Sequence, residues 1–509
     1  MLGPIVLRNI RTQFRLHRLR SVLLALIYPL ALITLFLLNY SFIGSLYNSW
    51  EESLKYYWFQ ILGIQYFVLF FGGTLKVAAS IVRERQEKRF DFELMTGISP
   101  ASIARQLLLG TPVFVYFLIG ITLPFSLLCL FGGGVDKDSF LACYLVLISC
   151  GLFFHAWALF ASASARRFAG SAIVSVLFVL LFLCAALLVQ ADIPEFRFLA
   201  KLSPLYLPYA HLRGIPVQSI QFLDFTIDLP VCLAIFYIFF GFWFTVAAAR
   251  RIERQENTCL SRTGAAFFIA TFNFLLAGFL VGKTLSFTPV EQKSENFLFH
   301  SFLYISANFL LLLLFVFLLT PSGKRYIAGA REKRTGSGLY PIFFSEGSLL
   351  FANYFLLFGI SAALYYSVFV PWSMHPPLSD VVGGRPILAE VSAALFFVLV
   401  CGFFWASLVQ VFLFLSSRAG KELAAILLLA LVAIPTVADL TWGRSGSGWE
   451  QIFNPVTVLL SILPTEVSTR GSQFPLPALL FYLFAGIALA AFVLARARAM
   501  RVRPPSYGI

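Results

Sequence analysis

The densest run of ionisable side chains lies in one segment, residues 83–110, which reads RERQEKRFDFELMTGISPASIARQLLLG. Arg85 and Arg89 are spaced i,i+4, and so are Glu87 and Asp91, so a helix would place each like-charged pair on one of its faces. This pattern favours an electrostatic docking surface for a soluble partner. The alternative is an interfacial turn whose charges are only solvated.

The same segment carries signals for a helical hairpin. Gly97 is typical of a residue that ends a helix. Ser99 followed by Pro100 is typical of an N-cap and the first turn of a new helix. The sequence therefore predicts a helix, a tight turn and a second helix that continues into the next apolar run.

Motifs for catalysis or cofactor binding are absent from the sequence. There is no G-x-x-x-x-G-K-[ST] nucleotide loop and no G-x-S-x-G elbow, and the five histidines are dispersed. The seven cysteines show no CxxC pairing, which argues against a zinc site or a disulfide framework. We therefore expect no catalytic residues, no metal and no cofactor bound by this chain itself.

The elements that position this segment are predicted to be membrane helices. Hydrophobic residues make up 59% of the 509 and charged residues 12%, which is about half the charged fraction of a soluble domain. This composition excludes a soluble enzyme, a disordered chain and a fibrous protein. Runs of about 20 apolar residues are long enough to cross a bilayer. They predict an all-α polytopic membrane protein with about twelve spans, near 21–43, 57–82, 107–131, 139–163, 169–190, 230–249, 264–285, 299–320, 347–371, 387–416, 422–441 and 476–495.

The charges sort by side in this layout. One side of the membrane receives 27 of the 38 Lys and Arg but only 9 of the 24 Asp and Glu. Because basic loops mark the cytoplasmic side, both termini and the 83–110 segment are expected there, in a multi-pass protein of the cell membrane. The net charge of +14 then reports topology, and no nucleic-acid partner is needed to explain it.

A pattern recurs between the two parts of the chain. A basic turn at 162–173 precedes a Ser-Pro-containing outer segment at 202–214, and a basic turn at 415–426 precedes an Asn-Pro-containing one at 453–464 at nearly the same distance. The recurrence predicts two six-span halves, residues 1–262 and 263–509. Chance recurrence of short basic turns is the alternative.

The N-terminal residues 5–20 have a distinct pattern. Leu7, Ile10 and Phe14 form an apolar stripe among arginines, which predicts an amphipathic helix along the inner membrane surface, in contact with anionic membrane lipid. A basic flank that only sets topology is the alternative.

Few ionisable side chains fall inside the predicted spans, Lys76 and His155 being the main ones. Ion-coupled carriers usually hold acidic groups near the midplane, so this scarcity favours an external energy source. Four amides within the spans could line a path or hold helices together: Asn273, Asn308, Asn353 and Gln410.

The 83–106 segment resembles the cytoplasmic loop of ABC-2 type exporter permeases, whose pattern is similar to R-E-R-x-x-G-T-L-E-L-L-x-x-T-P-L-S-x-x-x-I-x-x-G-K. The positions that carry the resemblance are Arg83, Glu84, Arg85, Phe90, Asp91, Leu94, Thr96, Ile98, Ser99 and Ile103, with Phe90 at a Leu position and Asp91 at the Glu position. The sequence departs from the pattern at Lys88-Arg89, Gly97 and Arg105-Gln106, where the family has Gly-Thr, Pro and Gly-Lys. The N-terminal helix and the six spans that follow are also similar to the family plan.

The resemblance implies a permease whose loop docks on a separate, dimeric ABC ATP-binding subunit that carries the ATP. It assigns the docking contacts to Arg83, Glu84, Arg85, Phe90, Asp91, Leu94, Thr96 and Ser99. The corresponding loop of the second half, residues 320–341, lacks the acidic and apolar pattern, so the chain resembles a fused dimer with one well-formed coupling loop. Two other readings remain open: a twelve-span secondary carrier of the major facilitator kind, and a membrane scaffold or polymer-assembling glycosyltransferase.

Overall fold

The computed structural model describes residues 3–14, 19–42, 49–87, 89, 93, 95–165, 168–184, 201–217, 219–253, 258–286, 290–320, 349–373, 381–382, 385–415 and 476–502. These residues are overwhelmingly helical, and the predicted class of an all-α polytopic membrane protein is confirmed.

The chain divides into two compact units. The first comprises Met1–Ile220 and Ile227–Gln255, and the second comprises Gln221–Thr226 and Glu256–Ile509. The prediction of two permease halves concerns an internal repeat, which this division does not test, so it stays a prediction.

Ten helices of the first unit lie in the part of the chain that the structure describes. In chain order they are α1 (Pro4–Gln13), α2 (Leu19–Phe42), α3 (Trp50–Phe67), α4 (Thr74–Gln86), α5 (Pro100–Gly110), α6 (Val113–Phe131), α7 (Lys137–Ser164), α8 (Phe168–Cys184), α9 (Tyr206–Arg213) and α10 (Leu229–Glu253). A π-helical segment, Val68–Gly73, joins α3 to α4 so that Trp50–Gln86 forms one long rod.

Six helices of the second unit lie among the described residues. Its helices are α11 (Arg262–Ser286), α12 (Val290–Leu318), α13 (Leu350–Leu364), α14 (Val370–Ser373), α15 (Ile387–Leu415) and α16 (Leu476–Val502). A second π-helical segment, Tyr365–Phe369, joins α13 to α14. Two short hairpins were not predicted: β1 (Ile220–Phe222) with β2 (Phe225–Ile227), and β3 (Val381–Val382) with β4 (Arg385–Pro386), whose register pairs Val381 with Pro386.

The apolar helices agree with the predicted spans. In the part of the chain that is described, eight helices are long and apolar enough to cross a membrane, and Leu26–Asn39, Phe168–Cys184 and His300–Val316 are shorter apolar helices. Together they coincide with eleven of the predicted spans. The remaining one, 422–441, lies outside the described residues, so the number twelve and the sidedness stay predictions.

Two separate clusters of buried side chains stabilise the first unit. An aromatic core includes Tyr57, Trp58, Phe154 and Tyr237. A second cluster lies at the arginine-rich end and joins α1, α4, α5, α7 and α10 through side chains that include several alanines: Ile5, Val77, Ala78, Ile81, Ile103, Ala104, Leu107, Ala158, Leu159, Ala163, Ala248, Ala249 and Ile252. Small side chains let helix backbones approach closely, so this end of the unit is firmly packed.

The second helix of the hairpin does not run on into the third span as predicted. It ends at Gly110, and α6 begins at Val113. Pro112 has no N–H to donate to the carbonyl four residues earlier, and its backbone (φ −88°, ψ 17°) leaves the helical region.

Candidate coupling site

The N-terminal helix α1 is hydrogen-bonded near both of its ends, to α5 at its start and to the junction between α5 and α6 at its end. At the start, the Ile5 N–H donates to Gln106 Oε1 at 3.0 Å. At the end, the Gln13 amide donates to the Thr111 carbonyl at 2.8 Å and accepts from the Phe114 N–H at 3.1 Å. These bonds satisfy main-chain groups at helix ends, which otherwise lack partners.

The face of α1 that packs on the protein is not the predicted stripe. Ile5 and Val6 are buried, whereas Leu7 and Phe14 are 40% and 39% exposed. Leu7 and Phe14 of the predicted stripe therefore face away from the packed side of α1, and the contact of this stripe with membrane lipid stays a prediction.

An ionic cluster joins α1 to the loop between α4 and α5. Arg8 contacts Glu84 Oε1 through Nη2 at 2.5 Å and Glu93 Oε1 through Nη1 at 2.8 Å. The side chains of Glu84 and Glu93 are only 10% and 9% exposed, and the second oxygen of each is buried without a hydrogen-bond partner. One guanidinium thus bridges two buried carboxylates, whose combined charge exceeds its own, and neither carboxylate is well placed without it.

Sequence reasoning missed the roles of Arg8 and Glu93, although a signal for Glu84 existed. Val77, Ile81 and Glu84 follow one another at spacings of four and three, which puts them on one face of α4. Val77 and Ile81 are fully buried. A carboxylate in line with buried aliphatic residues predicts a buried partner, but the sequence does not say which arginine supplies it.

The first helix of the hairpin breaks where the prediction had it continue. Helix α4 ends at Gln86, and Glu87 caps it with φ −83° and ψ 3°. Glu87 accepts from Arg83 at 2.9 Å and from Arg89 at 2.6 Å. The hydrogen bond from Arg83 holds the pKa of Glu87 below its usual range. The interpretation of Arg85 and Arg89 as one face of a single helix is therefore wrong.

The turn itself has the predicted residues in the predicted places. Gly97 has φ +77°, a conformation that suits glycine, and Pro100 opens α5. The Ser99 hydroxyl accepts from the Ser102 N–H at 3.3 Å. The Thr96 hydroxyl donates to the carbonyl of Glu93 at 2.7 Å, which ties the turn to the ionic cluster.

Only some of the predicted docking residues can be placed, and not all of those face outward. Arg85 points inward and donates to the Arg251 carbonyl at 3.2 Å. Phe90, Asp91 and Leu94 lie outside the described residues. Met95, which was not predicted, has 84% of its surface exposed next to the turn.

The intramembrane polar candidates bind other helices. His155 Nε2 lies 3.1 Å from the Leu69 carbonyl and Nδ1 lies 3.0 Å from the Tyr116 hydroxyl. Because a carbonyl only accepts, Nε2 carries the proton and Nδ1 accepts from Tyr116, so a neutral ring satisfies both contacts. In the second unit, the Asn273 amide donates to Ser361 Oγ at 3.2 Å.

Two more of these amides also make helix contacts. Asn308 donates to the carbonyl of Tyr304, one turn earlier in α12, at 2.9 Å, and Gln410 in α15 accepts from the Leu350 N–H of α13 at 2.9 Å. Asn273 and Gln410 therefore join two helices each, whereas Asn308 bonds within its own helix. Among the described residues, no three His, Cys, Asp or Glu side chains form a group that could hold a metal ion.

Comparison with known proteins supplies one match. The sequence model of the ABC-2 type transporter family matches residues 8–215, a range that contains Arg8, Glu84, Glu93 and the whole hairpin. No curated protein and no solved structure matches the chain.

Proposed function

We propose that this chain, whose residues 8–215 match the sequence model of the ABC-2 type transporter family, is the membrane subunit of an ATP-driven exporter and docks through residues 83–106 on a separate ATP-binding subunit. The chain carries no nucleotide loop of its own, so ATP is bound and hydrolysed on that partner, which acts as a dimer. Both termini lie in the cytoplasm, and the protein resides in the cell membrane.

The ionic cluster around Arg8 is the observation that carries this proposal. Glu84 belongs to the end of a long membrane helix, and Glu93 to the turn, while Arg8 belongs to α1. A force applied to the turn is therefore transmitted to a membrane helix and to α1 together. A loop that only connected two spans would not need buried carboxylates with a shared counter-ion.

The tip of the turn is the surface that meets the partner. Met95 is almost fully exposed, and the helix break at Glu87 and the turn at Gly97 fix its position. An exposed apolar side chain held by a capped turn is typical of an anchor in a protein–protein interface.

Co-purification tests the proposal. The tagged chain is extracted from its own membranes in mild detergent, and vanadate-sensitive ATPase activity is measured in the monodisperse fraction. We expect activity to accompany the wild type and Met95→Leu, and to be lost with Met95→Asp, which stays monodisperse. Absence of ATPase activity with the wild type, or substrate flux that persists without ATP and follows an ion gradient, would overturn the proposal in favour of a secondary carrier.

A further inference from the structure

A cavity of about 540 Å³ opens beside the ionic cluster, between α1, α4, the start of α6 and Arg89. It extends along α4 from Arg83 to Lys76. At 1.5 Å per residue, these two positions are about 10 Å apart along the helix. The cavity therefore reaches from the charged end of the unit into the apolar part.

The charges that line this cavity are mainly positive. Arg8, Lys76, Arg83 and Arg89 face a single lining carboxylate, Glu84. Arg8 contacts Glu84 and Glu93, and both other arginines contact Glu87, so each arginine has a carboxylate partner.

Lys76 differs from the arginines. Among the described residues it has no carboxylate partner, and its ammonium lies 4.7 Å from the centroid of the Phe114 ring. A half-buried ammonium without a counter-ion is unfavourable. The deep end of the cavity therefore attracts an anion.

A hydrogen-bond donor stands at the same cavity. The Thr111 hydroxyl is buried without a hydrogen-bond partner, although its residue lines the cavity. Buried polar atoms in folded proteins are rarely left unpaired. A bound oxyanion would accept from this hydroxyl and from the Lys76 ammonium.

An apolar shelf adjoins the cavity. The ring of Phe114, which lines it, lies 5.8 Å from Phe14, and Phe14 lies 5.2 Å from Phe117 in an edge-to-face contact. Phe14 and Phe117 are 39% and 42% exposed. Apolar surface beside an anion site suits an amphipathic ligand better than a free inorganic ion.

We propose that this cavity binds the phosphate of an anionic lipid headgroup from the adjoining membrane leaflet. Lys76 supplies the counter-ion, Thr111 donates a hydrogen bond, and the acyl chains lie along Phe14 and Phe117. The bound lipid bridges α1 and α4 next to the cluster of Arg8. Binding is a property of the first unit and does not depend on the proposed ATP-driven coupling.

Native mass spectrometry of the full-length protein in detergent tests this site. Dioleoylphosphatidylglycerol is titrated against dioleoylphosphatidylcholine and against inorganic phosphate. We expect the anionic lipid to bind at least about tenfold more tightly than the zwitterionic one, because a charge-assisted contact is worth a factor of this order. Lys76→Gln should abolish this preference, and Lys76→Arg should keep it.

Lys137→Gln is the matched control, because Lys137 is an exposed lysine at the start of α7. An equal loss of affinity in Lys137→Gln would mean non-specific surface attraction and would overturn the site. So would unchanged affinity in Lys76→Gln, or displacement of the lipid by millimolar inorganic phosphate, which would identify a free-anion site.

Stability of the lipid-free variants guards against a folding artefact. Lys76→Gln removes an unpaired cation, so its melting temperature in lipid-free detergent should equal or exceed that of the wild type. Should this variant nevertheless unfold, Thr111→Val replaces it, with severalfold weaker binding expected. Wild-type affinity in Thr111→Val would then contradict the proposal.

Discussion

Each of the two units has a π-helical segment inside a long helix, but different chemistry holds the two segments. In the first unit, His155 donates to the Leu69 carbonyl within the segment, and Gly73 at its end leaves room for the ring. In the second unit, hydroxyl groups make the corresponding hydrogen bonds. The Ser301 hydroxyl bonds the Tyr365 hydroxyl at 2.8 Å, and the Tyr304 hydroxyl donates to the Ser361 carbonyl at 3.0 Å.

The difference shows where each unit tolerates change. A π-helical turn disturbs the regular helix bonding and is often found at functional positions. Both units compensate with a side chain from a neighbouring helix. The first unit uses a ring that only a glycine accommodates, and at its arginine-rich end it adds the cluster of Arg8, Glu84 and Glu93. Its interactions are therefore harder to replace than the hydroxyl bonds of the second unit.

The largest effect is expected from Arg8→Ala. The substitution leaves Glu84 and Glu93 buried without a counter-ion, and breaking such a pair costs on the order of 3 kcal/mol. Thermal unfolding in detergent measures the loss, with Arg11→Ala on the same helix as the control, because Arg11 is exposed. Adding Glu84→Gln and Glu93→Gln to Arg8→Ala should recover much of the stability. Equal melting temperatures of Arg8→Ala and Arg11→Ala would show that the cluster of Arg8, Glu84 and Glu93 does not stabilise the first unit.

Gly73→Ala should have the next largest effect. A Cβ at this position would overlap His155 Nε2, and the ring is held on both sides by hydrogen bonds. Overpacking of this kind costs about 1–3 kcal/mol. Gly63→Ala in the same rod is the control, since nothing lies within 4 Å of its Cβ, and it should be neutral or slightly stabilising. Equal behaviour of the two variants would show that the histidine contact is not fixed.

Tyr304→Phe examines the second unit and should cost about 1 kcal/mol, the usual net worth of one hydrogen bond. The Ser361 carbonyl keeps its bond from the Tyr365 N–H, so it is not left unpaired. Tyr366→Phe is the control, because that hydroxyl bonds Ser392 at an exposed position. A loss in Tyr304→Phe as large as in Gly73→Ala would contradict the difference between the units.

The sequence predicted what depends on local patterns. Apolar run length placed the spans, and the types of Gly97, Ser99 and Pro100 placed the turn. The sequence could not predict contacts between distant positions. Arg8 and Glu93, for example, are 85 positions apart, and no periodic pattern relates them. The sequence did not predict the π-helical segments for a related reason, because the side chains that bond Leu69 and Ser361 come from other helices.

The face of α1 shows a further limit. Amphipathic periodicity finds an apolar stripe but not what covers it, and in α1 the glutamine bonds decide the orientation. Leu7 and Phe14 are apolar and nevertheless exposed, as expected for a helix whose other neighbour is lipid.

The smallest expected effect is a dependence of stability on pH, which arises in the first unit. His211 in α9 contacts Ser139 Oγ at 3.0 Å, and burial lowers the pKa of its ring, an effect that Asp136 partly offsets and Lys55 reinforces. In the unfolded chain the ring protonates near pH 6.5. Stability is therefore complete above that pH and falls as the pH drops through it towards the lower folded pKa. The pKa of Glu87 is held below its usual range by the hydrogen bond from Arg83, so this carboxyl does not titrate in the same window.

Melting temperatures of the wild type and His211→Gln between pH 8 and pH 5.5 measure this dependence. We expect a small decrease on acidification in the wild type and a flatter profile in His211→Gln, whose amide can still bond Ser139. Identical slopes would mean that the pH response arises elsewhere in the chain. A steeper slope in His211→Gln would show that the protonated ring stabilises the fold, the reverse of what its burial implies.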